Sequence, residues 1–351
     1  MTRLFGTDGI RGVANEEPLT PDLAFRVGRQ LAATLQAEHG AKRARLVIGR
    51  DTRHSGPLLE SALVAGLLSA GADCYAVGVL PTPAIALLTR RLEAHGGIVL
   101  SASHNQFEDN GIKLFSSEGT KFPDAWEDEI ERRLGGPDQA PRARGAGIGE
   151  LVEYDRAETD YVDFLCAAFP LDLGGLTIVL DCAHGATYRV APRAFRRLGA
   201  RVLALGARPT GTNINKGVGA LHPEALQKKV RGSGAAVGFA FDGDGVLSAL
   251  VLLSVAAETG ETLASLAACM QKFPQVLLNV KVGSKPPLET VQGLGERVAA
   301  FEQELGGNGR ILLRYSGTEP LARVMLEGPD ASRIGAMADE LAGIIRRKIG
   351  R

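Results

Sequence analysis

The chain has 351 residues, 45% of them hydrophobic and 23% charged, and its 40 basic and 40 acidic side chains cancel. This length exceeds one compact core, so we expect about two to four domains. The balanced charge gives no net field that would attract nucleic acid or an anionic membrane surface.

The start of the chain, MTRLFGTDG, has no apolar signal-peptide core, and no run approaches the ~18 consecutive apolar residues of a membrane span. We therefore predict a soluble, cytoplasmic protein. Scattered cysteines without a CxxC pair are typical of reduced thiols in that compartment: Cys74, Cys166, Cys182 and Cys269.

The first 135 residues predict strands alternating with helices. Thr20 followed by Pro21 is a helix start, and Leu23, Val27, Leu31 and Leu35 recur every four residues until Gly40. Strands are predicted at 46–49, 74–79 and 97–100, with helices at 56–70 and from 83. Such alternation indicates a parallel or mixed α/β sheet with ligand sites at the carboxyl ends of its strands.

A Gly/Pro/Ala-rich segment at 135–150 predicts the main domain boundary. A second α/β unit follows, with strands at 176–181, 201–205 and 236–241 and helices at 188–198 and 223–231. Helical stretches at 247–258 and 263–271 lead to a terminal unit. There we predict strands at 275–282, 311–315 and 322–327 and helices at 289–305 and 331–347.

Two glycine-containing motifs in the first unit suggest a phosphate site. In GTDGIRG (6–12), glycines let the backbone approach an anion, and Thr7 and Arg11 offer a hydroxyl and a planar guanidinium. The same string is equally typical of a plain turn. GRDTRHSG (49–56) ends a strand with Arg50, Arg53 and Ser55, which could support the residues that contact the anion.

SASHNQFEDNGIK (101–113) follows the apolar strand GIVL. A serine-hydrolase elbow needs GxSxG, which is absent here, so a nucleophilic Ser103 would more naturally carry a phosphoryl group. His104 and Lys113 are close in sequence. The alternative is a turn whose short polar side chains bond the backbone.

Two later motifs offer a metal site and a second phosphate site. FAFDGDGV (239–246) places Asp242 and Asp244 on the same side of a strand end, as oxygen ligands suited to Mg²⁺, or forms an ordinary Asp-Gly turn. RYSGTEPLARVMLEG (314–328) combines hydroxyls, backbone N–H groups and arginines in a strand–turn–strand segment, which describes a phosphate cradle.

The order and spacing of these four motifs resemble the α-D-phosphohexomutase superfamily. FGTDGIRG, PTPAIALL (81–88), GTNIN (211–215) and RYSGTEPLARVMLEG most resemble its phosphoglucosamine mutase branch. The resemblance implies tandem α/β domains with mixed sheets plus a C-terminal α+β phosphate-binding domain. It also implies interconversion of glucosamine 6-phosphate and glucosamine 1-phosphate through a phosphoserine, for amino-sugar nucleotide and cell-wall precursor synthesis.

By resemblance, Ser103 carries the phosphate, His104, Lys113 and Arg11 assist catalysis, and Ser103, Asp242 and Asp244 bind Mg²⁺. The implied activator is glucosamine 1,6-bisphosphate or glucose 1,6-bisphosphate, the partner is a small phosphosugar, and a homodimer is left open. The residues implied to bind substrate are Thr7, Arg53, Arg314, Ser316, Gly317, Thr318 and Arg323.

The chain departs from this family after the metal loop. Relatives read DGDGDR where this chain reads DGDGVL, so Val246 stands at the third acidic position and Leu247 at the arginine. The family's third domain, which grips the sugar hydroxyls, is absent. We predict domains at 1–145, 150–246 and 273–351, with 247–272 a helical remnant of the missing domain.

Two rival functions follow from these features. A chain without the sugar-gripping domain could bind a phosphosugar without turning it over. FAFDGDGVL also fits the strand–DxDxV pattern of haloacid-dehalogenase-type phosphatases, but no closely spaced pair of aspartates follows Asp244 to complete that site.

Overall fold

The computed structural model describes residues 3–6, 9–138, 140–242, 246–268, 273–316 and 320–350. The chain divides into two compact units, Met1–Glu261 and Thr262–Arg351. The larger unit contains two sheets and the smaller unit contains one.

The first sheet of the larger unit has six strands and is mixed. Its order is β1-β5-β4-β2-β3-β6, in which β5 alone runs antiparallel to its neighbours β1 and β4, and the other five strands run in one direction. Its elements are β1 (Ile10–Val13), α1 (Pro21–Glu38), β2 (Arg45–Arg50), α2 (Gly56–Ser69), β3 (Asp73–Val79), α3 (Thr82–Arg91), β4 (Gly96–Leu100), β5 (Asp109–Ser116), α4 (Asp124–Leu134) and β6 (Leu151–Glu153).

Helix α1 begins where the sequence predicts. The backbone N–H of Leu23 donates to Thr20 Oγ1 at 3.2 Å, and Pro21 occupies the first turn. Val27, Leu31 and Leu35 are buried in the core of the sheet. The four-residue spacing therefore placed the apolar stripe on the correct face.

Helix α2 packs unusually close to α1 because of glycines. A Cβ atom on Gly66 would lie 2.1 Å from the carbonyl oxygen of Phe25, and one on Gly28 would lie 2.4 Å from that of Leu63. Both distances are too short for any real Cβ, so the two backbones approach each other only because these positions lack side chains.

The second sheet is parallel, in the order β8-β7-β9. Its strands all end at one edge, where α/β proteins place their ligand sites. The elements are α5 (Ala157–Ala168), β7 (Thr177–Asp181), α6 (Val190–Arg197), β8 (Arg201–Leu205), α7 (Glu224–Ser233), β9 (Val237–Ala240), α8 (Val246–Thr259) and α9 (Leu263–Ala268), the last of which falls in the smaller unit.

The smaller unit is an antiparallel sheet, in the order β10-β12-β11, with helices against one face. Its elements are β10 (Gln275–Lys281), α10 (Leu294–Leu305), β11 (Arg310–Tyr315), β12 (Leu321–Glu327) and α11 (Ala331–Ile349). Asp330 caps α11 by accepting from the backbone N–H groups of Ser332 and Arg333.

The α/β fold class predicted from the sequence is confirmed, and most predicted strands and helices are present with small shifts at their ends. The helix predicted at 289–305 begins only at Leu294, and positions 269–271 of the helix predicted at 263–271 lie outside the described residues. The sequence analysis missed β1, β5, β6, α4 and α5. Strand β6 pairs with β3, so the first sheet continues past the boundary predicted at 145–150. Among the described helices, none combines the length and apolarity needed to cross a bilayer.

Candidate active site

Ser103 lies just beyond β4, at the carboxyl end of the first sheet. Its backbone has φ of +52°, its side chain is almost fully buried, and its N–H donates to Ser101 Oγ at 3.0 Å. The Ser103 hydroxyl donates to Asp242 Oδ2 at 3.1 Å. The structure thus joins the predicted nucleophile to a predicted metal ligand that is 139 residues away in sequence.

Asp242 follows β9, at the carboxyl edge of the second sheet. The backbone N–H of Phe241 donates to the Asp181 carbonyl at 2.9 Å, which keeps the chain in register with β7 as it leaves the sheet. Asp242 therefore reaches Ser103 because both residues follow the carboxyl ends of strands, β9 and β4.

Asp181 is a buried acidic residue of this edge that the sequence analysis missed. Its carboxylate accepts from the backbone N–H groups of Ala183 at 3.0 Å and Gly219 at 2.9 Å. Both oxygens therefore hold loops around the site. The signal in the sequence was an aspartate directly after the apolar run IVL.

The neighbouring thiol, Cys182, does not compete as a nucleophile. Burial raises the pKa of this cysteine to about 12, with the Asp181 carboxylate adding to the shift. Cys182 therefore stays protonated near neutral pH.

Arg11 and Lys113 lie on one face of the first sheet. Arg11 on β1 pairs with Gly111 on β5, and Lys113 lies two residues further along β5, so both side chains leave the same face. Ile10 and Ile112 occupy the opposite face and are fully buried. Arg11 and Lys113, the two cations predicted to assist catalysis, therefore extend from the same face of the sheet on neighbouring strands.

Gly9 lets the first motif reach this part of the sheet. It has φ of +88°, and a Cβ atom on it would lie 2.2 Å from the Ile112 carbonyl oxygen and 3.1 Å from the Lys113 Cα. Position 9 therefore requires glycine, because a side chain there would collide with the backbone of Ile112 and Lys113.

Arg53 has the supporting place that its own motif suggested, and not the substrate contact that the family resemblance implied. It is only 1% exposed and its Nε donates to Asp51 Oδ2 at 2.8 Å. Its remaining donors all bond backbone carbonyls of the Ser103 loop, namely those of Ser103, Asn105, Gln106 and Asp109. The guanidinium of Arg53 therefore has no N–H left for a phosphate, and it supports the Ser103 loop through its backbone carbonyls.

His104 is exposed beside Ser103. Thr7 and Asp244, also predicted for this site, lie outside the residues that the structure describes.

The C-terminal unit presents three of its five predicted substrate residues in described positions. Arg314 and Arg323 are cross-strand partners on β11 and β12, and Ser316 is buried at the end of β11. Gly317 and Thr318 lie outside the described residues. Lys285, which the sequence analysis missed, donates to the Ser316 carbonyl at 2.7 Å. Its signal was a lone cation in the loop GSKPP.

Asp242 and Ser103 fit a magnesium ion by their chemistry, because both offer oxygen atoms, the ligands that Mg²⁺ prefers. Within the described ranges, no group of three or more His, Cys, Asp or Glu residues could hold a metal ion. Asp244, the other predicted ligand, falls in the gap between 242 and 246.

Comparison with known families assigns both ends of the chain. Residues 2–140 match the phosphoglucomutase/phosphomannomutase alpha/beta/alpha domain I, and residues 277–344 match the C-terminal domain of the same family. Because these matches cover the Ser103 loop and the Arg314–Arg323 strands, the two phosphate motifs belong to one family.

The chain is also similar to solved structures. A phosphoglucomutase/phosphomannomutase family protein from Burkholderia thailandensis has a TM-score of 0.75 at 19% identity, covering 99% of this chain and 98% of that one. Aspergillus fumigatus N-acetylphosphoglucosamine mutase, in complex with GlcNAc-6P and magnesium, has a TM-score of 0.62 at 14% identity, covering 98% and 95%. Another structure of that enzyme, its S69A variant, contains glucose 1,6-bisphosphate (TM-score 0.64, 13% identity, covering 100% and 96%). These likenesses establish the fold.

Sequence relatives are closer. The chain is 38% identical to the phosphoglucosamine mutase of Syntrophotalea carbinolica, covering 99% of this chain and 98% of the relative. It is 41% identical to that of Desulforudis audaxviator, covering 98% of both. The first alignment runs over 449 positions, 98 more than the 351 residues here, so at least that many residues of the relative have no counterpart. Because the alignments begin and end near the termini of both proteins at this identity, the chain belongs to the phosphoglucosamine mutase family of phosphohexomutases.

Proposed function

We propose that this chain transfers a phosphoryl group between Ser103 and glucosamine phosphates, interconverting glucosamine 6-phosphate and glucosamine 1-phosphate. The observation that carries the proposal is the 3.1 Å hydrogen bond from the Ser103 hydroxyl to Asp242 Oδ2. Relatives at 38–41% identity bear the name phosphoglucosamine mutase. Family membership also removes the haloacid-dehalogenase alternative.

In the proposed reaction, the bond between the Ser103 oxygen and phosphorus breaks as a sugar hydroxyl attacks. The hydroxyl proton leaves to a base, for which exposed His104 beside Ser103 is our candidate. Arg11 and Lys113, which leave one face of the sheet, would balance the charge of the phosphoryl oxygens. Reversal on the resulting 1,6-bisphosphate leaves the phosphate on the other sugar oxygen and restores phosphoserine.

Asp242 and Ser103, with Asp244 of the same loop, would hold Mg²⁺, which supplies positive charge next to the transferring group. The magnesium in the Aspergillus fumigatus mutase supports this assignment. Glucose 1,6-bisphosphate, present in another structure of that enzyme, is our proposed activator because it can phosphorylate Ser103. Glucosamine 1,6-bisphosphate would serve in the same way.

We assign Arg314, Ser316, Gly317, Thr318 and Arg323 to the phosphate of the sugar that is not being transferred. Two arginines face each other across β11 and β12, and paired guanidinium groups suit a dianion.

A binding protein without turnover is the second candidate. It is favoured by the at least 98 residues of the relative that have no counterpart here. Positioning supplies much of the acceleration in phosphoryl transfer, so losing part of the substrate's surroundings should lower the rate more than the affinity.

Intact-protein mass spectrometry tests the proposal. The chain is incubated with glucose 1,6-bisphosphate and Mg²⁺, and we expect one added phosphate, located on Ser103 by fragmentation. Ser103→Ala should take up none. Equal labelling of Ser103→Ala would disprove the assignment of the nucleophile, and no labelling of the parent chain would favour the binding protein.

A further inference from the structure

The backbone of the Ser103 loop is held by two side chains that the proposed chemistry does not use. Arg53 contributes from the first sheet and Asn215 from a loop of the second. Asn215 Nδ2 donates to the Ser103 carbonyl at 2.8 Å and to the Asn105 carbonyl at 2.9 Å. Arg53 Nη2 donates to the same two carbonyls, at 3.1 Å and 2.9 Å. Each carbonyl therefore accepts two hydrogen bonds.

Both side chains are buried and fixed at their other ends. Arg53 is 1% exposed and is locked by Asp51, which accepts from the Arg53 backbone N–H at 2.9 Å and from its Nε at 2.8 Å. Asn215 is 4% exposed, and its backbone N–H donates to the Ala183 carbonyl at 2.9 Å. Neither side chain can swing away without leaving buried polar groups unpaired, which costs about 1–3 kcal/mol for each group.

Ser103 needs such support because its backbone is strained. At φ of +52° it occupies the left-handed region, which costs a residue with a Cβ on the order of 1–3 kcal/mol. A carbonyl held by two donors cannot rotate with the peptide as the residue relaxes. The two pairs of hydrogen bonds therefore maintain the backbone conformation that directs the Ser103 hydroxyl to Asp242.

The turn that carries Arg53 also ties the two sheets together. Thr52 Oγ1 donates to the His184 carbonyl at 2.5 Å, and the His54 N–H donates to the Gly211 carbonyl at 2.9 Å. This three-residue turn therefore bonds loops of the second sheet through Thr52 and His54, and the Ser103 loop through Arg53. This arrangement keeps the serine of one sheet in reach of the aspartate of the other.

We infer that Arg53 and Asn215 are positioning residues for phosphoryl transfer at Ser103. They hold the Ser103 and Asn105 carbonyls, and through them the direction of the Ser103 hydroxyl. This inference rests on the proposed function.

The matched variants lie in the same loop. Asn215→Ala removes the two donors, whereas Asn213→Ala loosens the loop without touching Ser103, because the Asn213 side chain bonds the Arg208 carbonyl and the Thr210 N–H within it. Arg53→Lys keeps the charge beside Asp51 but replaces the fork with a single ammonium. Circular dichroism first establishes that each full-length variant is folded. If Asn215→Ala is unfolded, Arg53→Lys is compared with the parent chain in its place.

The first readout is the rate at which Ser103 takes up phosphate from glucose 1,6-bisphosphate in a single turnover. Displacement of a reacting group by about 1 Å costs on the order of 100-fold in rate. We expect Asn215→Ala and Arg53→Lys to slow uptake by about tenfold or more, with the half-saturating bisphosphate concentration unchanged within about twofold. Asn213→Ala should keep the parent rate. Equal rates for Asn215→Ala and Asn213→Ala would overturn the inference.

The second readout is independent of activity. Hydrogen–deuterium exchange of the segment 101–110 should be faster in Asn215→Ala than in Asn213→Ala, because the loop opens more often once its carbonyls lose two donors. If the parent chain takes up no phosphate, the proposed function fails, and hydrogen–deuterium exchange then tests only whether Arg53 and Asn215 hold the Ser103 loop. Identical exchange in the two variants would in that case show that Asn215 does not hold the loop.

Discussion

Arg314 and Arg323 are direct cross-strand partners in the C-terminal sheet, one on β11 and one on β12. Like charges opposite each other normally weaken a sheet, so we expect a bound anion to stabilise this pair. Arg310 lies on the same face of β11, opposite Glu327, and its Nε pairs with Glu327 Oε2 at 2.8 Å. The pairing of Arg314 with Arg323 is therefore the strongest structural support for a phosphate site in this unit.

We expect Arg314→Gln and Arg323→Gln each to weaken binding of glucosamine 6-phosphate by about 10- to 100-fold, as a lost charge-assisted hydrogen bond costs about 1.5–3 kcal/mol. Isothermal titration calorimetry on the full-length chain measures the affinity. Arg310→Gln should bind like the parent. An equal loss in Arg310→Gln would show that general charge, and not the opposed pair, holds the phosphate.

Metal binding should respond to the residue after Gly245. Val246 stands where relatives carry a third aspartate, so Val246→Asp should tighten Mg²⁺ binding by about tenfold by adding an oxygen ligand, and Val246→Asn should gain less. Titration calorimetry with Mg²⁺ compares the two. Asp242→Asn in the Val246→Asp background should abolish the gain. If the gain persists there, the added carboxylate binds metal away from Ser103.

Two alanine substitutions in the larger unit should have opposite effects on stability. Gly66→Ala should lower the free energy of unfolding by about 1–3 kcal/mol, because its Cβ would lie 2.1 Å from the Phe25 carbonyl oxygen and would force α1 and α2 apart.

Gly232→Ala in α7 meets nothing within 4 Å and should raise the free energy of unfolding by about 0.5–1 kcal/mol, since alanine favours a helix over glycine. Denaturation in urea, followed by circular dichroism, gives both values. A loss of stability in both variants would contradict the packing argument.

The shortened chain should turn over slowly and lose phosphate to water. An enclosed site keeps water from a reactive phosphoryl group, and at least 98 residues of the relative are missing here. From glucosamine 6-phosphate, glucose 1,6-bisphosphate and Mg²⁺, we expect inorganic phosphate to form faster than glucosamine 1-phosphate.

A phosphate-release assay and a coupled assay for glucosamine 1-phosphate give this ratio. Ser103→Ala controls for hydrolysis that does not pass through the enzyme. Isomerisation at an ordinary enzymatic rate, ~1–1000 per second, would contradict the importance we give to the missing segment.

The sequence was sufficient for much of this picture. Apolar spacing and the Thr20-Pro21 pair located α1, and alternation of apolar strands with helices predicted two α/β sheets. Such features are local, because capping, periodicity and turn chemistry depend on residues within a few positions of one another. The four motifs likewise identified Ser103 and Asp242 as candidates, and the family comparison agrees with the family they indicated.

Other features depended on contacts between distant residues. Strand β5 was missed because polar residues interrupt its apolar pattern, and its pairing with β1 and β4 decides its conformation. The family resemblance assigned Arg53 to substrate, yet its Nη1 and Nη2 donors all bond carbonyls of the loop at 103–109. Asn215 gave no sign of its role, because its partners lie about 110 residues earlier.

By itself, the sequence determined the chemistry available to this protein: a serine, aspartates, arginines and glycines at strand ends, in the order of a phosphohexomutase. Only the tertiary structure decided which of these groups bond the backbone of the Ser103 loop and so hold other residues in place. The physical reason is that a side-chain donor bonds whichever acceptor lies near it in the folded chain, and that acceptor can be distant in sequence. For Arg53 and Asn215, those acceptors are backbone carbonyls of the Ser103 loop.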